Sequence, residues 1–145
     1  MNIDGPEELI ASDSCWLPRS NRSPGKARRF LAGLLSTVKE GERFLDKGEL
    51  VLSELVTNAL AHGTRPGQLI WIGLKVDHEQ LWIAVEDPSA AVPVVCDAAA
   101  STSFASEVES GRGMLLVEQL SLAWGCGPRE GVGKRVWVLV GADQN

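Results

Sequence analysis

The spacing of apolar residues changes along the chain, and each change marks an element. Phe30, Leu31, Leu34, Leu35 and Val38 recur at helical spacing behind Pro24, whose missing N–H costs nothing in the first turn of a helix. A break at Glu40-Gly41-Glu42 precedes a second helix over about Asp46–Ala61. There Leu52, Leu55, Val56, Ala59 and Leu60 form the buried stripe and Gly63 the C-terminal cap. Thr64-Arg65-Pro66-Gly67 reads as a turn, after which the period falls to two. Leu69–Val76 and Gln80–Glu86 are predicted strands of a hairpin joined by Asp77-His78-Glu79, with Ile70, Ile72, Leu74 and Val76 turned toward the helices. The stretch from Pro88 to Ser110 has no period and is long for a plain connection. Met114–Leu120 predicts a further helix and Val136–Val140 a strand inside the sheet, whereas residues 1–22 read as irregular.

Composition narrows the class. A length of 145 residues with 44% hydrophobic content suffices for one domain with a proper core. No apolar run approaches the ~20 residues of a membrane span. The N-terminus also lacks the basic-then-apolar order of a signal peptide. Cys15, Cys96 and Cys126 make no CxxC pair, so neither a disulfide framework nor a zinc site is expected and a reducing cytoplasm fits. A net charge of −5 argues against a general nucleic-acid binder. The local basic segment Arg19, Arg22, Lys26, Arg28 and Arg29 lacks interleaved aromatics, and suits a solvated helix face or an acidic protein partner.

The candidate chemistry lies opposite the stripe of the second helix. Glu54 and Asn58 are four residues apart and therefore share one face. A carboxamide oxygen suits a hard cation such as Mg²⁺, and a carboxylate can position or deprotonate a nucleophile. The pair alone is also compatible with a solvated helix face. Leu81, Ile83, Val85 and Asp87 fall on one face of the second predicted strand, so a carboxylate ends an apolar row, either to accept from an amine such as that of adenine or to start a turn before Pro88. Gly111 and Gly113 precede the third helix, where glycines let backbone N–H groups approach a phosphate. Gly131-Val132-Gly133-Lys134 is no P-loop, because Pro128 stands in place of the first glycine and Arg135 in place of Ser or Thr. His62 is assigned to helix capping, and the five tryptophans to covering the sheet.

In this order the segments Pro24–Phe30, Glu54–His62, Val85–Pro88, Gly111–Glu118, Trp124-Gly125 and Gly133–Trp137 resemble the GHKL family of histidine-kinase-like ATPases, in particular its bacterial anti-sigma factor serine/threonine kinases. The resemblance implies a two-layer α/β sandwich of the Bergerat type, with helices on one face of a mixed, mostly antiparallel sheet. The domain would span residues 23–145 and carry a lid around 88–112. It implies ATP and Mg²⁺ as cofactors, Asn58 on the metal, Glu54 as general base, Asp87 on the adenine amine and Gly111 with Gly113 shaping the phosphate loop. Arg112 is either a phosphate contact or a solvated lid residue.

By the same resemblance the partners are a sigma factor, sequestered by the protein, and an anti-anti-sigma protein of STAS type, phosphorylated on Ser or Thr. Homodimers through the N-terminal region are implied too. Two departures stand out: Pro88, Ser89 and Ala90 follow Asp87 without the family's frequent glycine, and Arg135 occupies a position where the family often has Thr near the adenine. They motivate the alternative of a non-catalytic sequestering module.

Overall fold

The computed structural model describes residues 9–89 and 109–143, with the side chains of residues 109–114 outside that description. The element order is β1 (Ala11–Pro18), α1 (Ser23–Leu35), a 3₁₀ turn (Gly41–Phe44), α2 (Leu45–His62), β2 (Leu69–Val76), β3 (Gln80–Asp87), α3 (Glu109–Leu120), β4 (Ser121–Pro128) and β5 (Lys134–Gly141). The strands form one five-stranded sheet in the order β1-β2-β3-β5-β4, and every neighbouring pair is antiparallel rather than mixed. The α/β sandwich expected from the resemblance is therefore what the chain forms.

The helical layer and one sheet face enclose the main core. Ala27, Leu31 and Leu35 of α1 and Val51, Leu52, Leu55 and Val56 of α2 pack on Ile70, Ile72, Leu74 and Val76 of β2. Leu81, Ile83 and Val85 of β3 and Val136, Val138 and Val140 of β5 complete it. Period two places all ten of these strand residues on that face, so burying them fixes the register.

The other sheet face carries a second cluster of Trp82, Ala84, Trp137 and Leu139, with Trp71 and Ala123 packed against it. Two indoles lie flat over glycines: a Cβ on Gly73 would meet the Trp71 ring at 2.3 Å, and one on Gly125 would meet Trp137 at 2.9 Å. Tryptophans thus cover the face that has no helices, as expected. Trp124 instead packs against the main core, and Trp16 on β1 is exposed.

Residues 11–18, expected to be irregular, form β1 and pair with β2 from Ala11↔Val76 to Pro18↔Leu69. Only Leu17 of this strand is fully buried, so backbone pairing defines it and the side chains hardly signal it. Cys126 on β4 is disulfide-bonded and Cys15 is free, against the expectation of no disulfide; an odd cysteine count still leaves room for one bridge. No helix among the described residues is long and apolar enough to cross a membrane.

Candidate functional site

The site is built on α2 and on the facing ends of β3 and β5. The stripe of α2 is anchored in the core, which leaves Glu54 and Asn58 half-buried on the other side of the helix. Neither side chain hydrogen-bonds to a described residue, so the carboxylate and the carboxamide are both available to a ligand. Asn58 lies five residues before Gly63, about 7.5 Å along the axis, and the helix ends there against Asp87.

Gly63 closes α2 with φ −114° and ψ −4°, and its N–H donates to the Ala59 carbonyl at 2.9 Å. The left-handed conformation that usually selects glycine at a helix end is absent. Space selects it here: a Cβ at position 63 would lie 2.3 Å from both Cγ and Oδ2 of Asp87. His62 is exposed and makes no capping bond; the Gly63 N–H and the Thr64 hydroxyl, which donates to the Leu60 carbonyl at 3.1 Å, cap the helix.

Asp87 is 4% exposed at the end of the apolar row Leu81, Ile83, Val85. Its Oδ1 accepts from the Ser89 N–H and from Lys134 Nζ, both at 2.9 Å. Lys134, its partner in the β3–β5 register, is itself only 9% exposed. Oδ2 faces Gly63, and no described residue donates to it. Gly133, at φ +130°, lets the chain pass beside the Asp87 carbonyl, which a Cβ would approach to 2.2 Å. A buried carboxylate with one oxygen held and no described donor on the other is the acceptor an exocyclic amine requires, so the residues present fit an amine-bearing nucleobase.

Arg135 is not at this site. It lies on the opposite sheet face, where Nη2 and Nε bond Glu86 Oε2 at 2.6 and 2.7 Å and the guanidinium sits 5.7 and 5.6 Å from the Trp71 and Trp82 rings. The cation beside Asp87 is Lys134, one residue earlier. Sequence reasoning missed it, although alternation back from Val136 puts position 134 in the core-facing row.

Gly111 and Gly113 do not precede a helix: both fall within the first turns of α3, whose N-terminus is Glu109. The Arg112 side chain and residues 90–108 of the expected lid lie outside the described residues. A recess of about 530 Å³ between Arg19 and Ala61 shares Thr57, Leu60 and Ala61 with α2 but includes none of Glu54, Asn58 and Asp87.

No group of three or more His, Cys, Asp or Glu side chains able to hold a metal occurs among the described residues. A cation at Asn58 would take its other ligands from phosphate oxygens and water, which is how Mg²⁺ is ordinarily held.

A search of the curated proteins found no match. The family model of the histidine kinase-like ATPase domain matches residues 17–138, from the end of β1 into β5. That match spans most of the 145 residues and all three parts of the site, so the chain belongs to the family of histidine kinase-like ATPase domains, which are nucleotide-binding modules.

Proposed function

We propose that the protein is an ATP-dependent regulator that sequesters a sigma factor and phosphorylates a Ser or Thr of an anti-anti-sigma partner of STAS type. The observation that carries this reading is the joint placement of Glu54 and Asn58 on one available face of α2, with the end of that helix packed on Asp87. Bound Mg-ATP would supply the phosphoryl group and the charge neutralisation on which such transfer depends. Asp87 orients the base. Asn58 offers its amide oxygen to the cation, and Glu54 accepts the proton of the partner hydroxyl as that oxygen becomes the nucleophile. Arg19, Arg22, Lys26, Arg28 and Arg29 are all exposed at or near the start of α1, and make a basic surface suited to an acidic partner. The cytoplasm is the compartment in which such partners would be met.

The test is transfer of labelled phosphate from Mg-ATP to candidate STAS proteins. Glu54→Gln should lower the rate by about 10²-fold or more while nucleotide binding persists. No transfer to any candidate, with regulation unchanged in Glu54→Gln, refutes the kinase.

One observation favours a second reading, a sequestering module without catalysis: Lys134 already occupies Asp87 Oδ1. A tight sigma-factor complex indifferent to ATP, ADP and Asn58→Ala would establish that reading instead.

A further inference from the structure

Lys134 is a buried ammonium with more donors than partners. It carries three N–H bonds. One goes to Asp87 Oδ1 at 2.9 Å, and no second acceptor is found among the described residues. A lysine is rarely buried to this degree unless its charge is paired and its hydrogen bonds are made. The charge is paired here, but the remaining donors meet no acceptor among the described residues. On the same carboxylate Oδ2 is idle as well, against the bare Cα of Gly63. The ends of α2, β3 and β5 therefore present, side by side, an acceptor that lacks a donor and a donor that lacks an acceptor.

We propose that Lys134 is a specificity-determining residue of the nucleotide site, donating to the ring nitrogen next to the exocyclic amine that Asp87 accepts from. This inference rests on the nucleotide-binding reading above. Adenine has the matching edge: the N6 amine donates, and N1, one ring position away, accepts. A carboxylate alone recognises only the amine. Asp87 with Lys134 recognises the ordered pair, and the ion pair between them holds both groups in position before the base arrives. A hydrogen bond from a charged donor contributes more than one between neutral groups. The ring nitrogen should thus weigh heavily in affinity.

The experiment is calorimetric titration of the full chain with Mg-ADP, with its 1-deaza analogue, in which a C–H replaces N1, and with 7-deaza-ADP, which keeps both N1 and the amine. Each nucleotide is titrated into the wild type and into Lys134→Met, which keeps the length of the side chain without its donors. In the wild type the 1-deaza analogue should bind roughly tenfold or more weakly than ADP, with 7-deaza-ADP close to ADP. In Lys134→Met, ADP should weaken and the preference over the 1-deaza analogue should vanish. A purely structural lysine would lower all three affinities together and leave their ratios unchanged. If Lys134→Met does not fold, the wild type decides alone, since equal binding of ADP and 1-deaza-ADP overturns the proposal. Unchanged discrimination in a folded Lys134→Met overturns it too, while leaving the nucleotide site in place. Absence of binding by any of the three to folded wild type overturns the nucleotide reading itself, and the role of Lys134 with it.

Discussion

Replacing Gly63 by Ala separates two physical effects of opposite sign. Its φ of −114° and ψ of −4° are open to alanine. Considered by the unfolded chain alone, the substitution stabilises by about 0.4–1 kcal/mol. The added methyl, however, would stand 2.3 Å from Cγ and Oδ2 of Asp87, where ordinary contact begins at 3.4 Å. The carboxylate must withdraw by about 1 Å, and it is tied by 2.9 Å bonds to both Lys134 Nζ and the Ser89 N–H. Forcing a methylene-sized group into a packed site costs about 1–3 kcal/mol. Stretching a hydrogen bond to a charged group forfeits part of a further ~1.5–3 kcal/mol. The steric term therefore outweighs the entropic one, and Gly63→Ala should be destabilised by about 2–4 kcal/mol in urea unfolding followed by circular dichroism. Gly33→Ala is the control: this glycine is exposed in α1, a methyl added to it would meet nothing within 4 Å, and the change should stabilise by about 0.5–1 kcal/mol. If Gly63→Ala proves as stable as the wild type, the close approach of α2 to Asp87 is refuted.

Two further outcomes follow from the same structure. Arg135→Thr should leave ADP affinity within about twofold, because Arg135 lies on the far sheet face, yet cost about 1–3 kcal/mol in unfolding through the loss of its bonds to half-buried Glu86; a large loss of ADP affinity would place Arg135 at the base after all. Burial, with Asp13 nearby, raises the pKa of the Cys15 thiol. Since the folded state keeps that proton longer than the unfolded one, stability should fall as the pH rises through the interval between the two values. Cys15→Ser should flatten the fall in alkaline urea titrations, and an unchanged slope would refute it.

What the sequence makes legible follows from where its residues lie in the sheet. The central strands β2 and β3 are bounded by turns and carry unbroken apolar rows, so their limits can be read to within a residue: Leu69–Val76 as expected, and Gln80–Asp87 against an expected end at Glu86. The two strands that periodicity does not mark, β1 and β4, are the two edges. An edge strand buries little: β1 places only Leu17 in the core, and no residue of β4 is fully buried, with Leu122 exposed at a register shift and Trp124 and Cys126 half-buried. Backbone pairing defines such strands, and backbone pairing leaves no trace in composition. For the site, the shared face of Glu54 and Asn58 follows from helical spacing, and the position of Asp87 from alternation. Lys134 is equally readable by counting back from Val136. It escapes notice because a lysine beside glycines at a strand start is ordinarily a solvated residue, and only the opposing Asp87 makes its burial tolerable.

The same burial links the site to the stability of the fold. A buried ion pair with good geometry roughly offsets the cost of desolvating its charges, but an idle polar atom beside it costs about 1–3 kcal/mol more. Asp87 Oδ2 and the remaining donors of Lys134 have no partner among the described residues, and they sit where α2, β3 and β5 meet. A nucleobase that satisfies them removes that cost from the folded state only. By mass action, a ligand at a hundred times its dissociation constant then adds about 2.7 kcal/mol to stability. This gain is anchored at the C-terminal end of α2, and α2 packs along α1, the helix that carries the exposed Lys26, Arg28 and Arg29. The bond from Arg28 Nη1 to Ser53 Oγ, at 3.3 Å, ties that basic face to the residue beside Glu54. The start of α1 and the C-terminal end of α2 line one recess, so nucleotide at Asp87 and an acidic partner on the basic residues of α1 would act at the same end of one packed helix pair, which gives their binding a physical route to mutual influence.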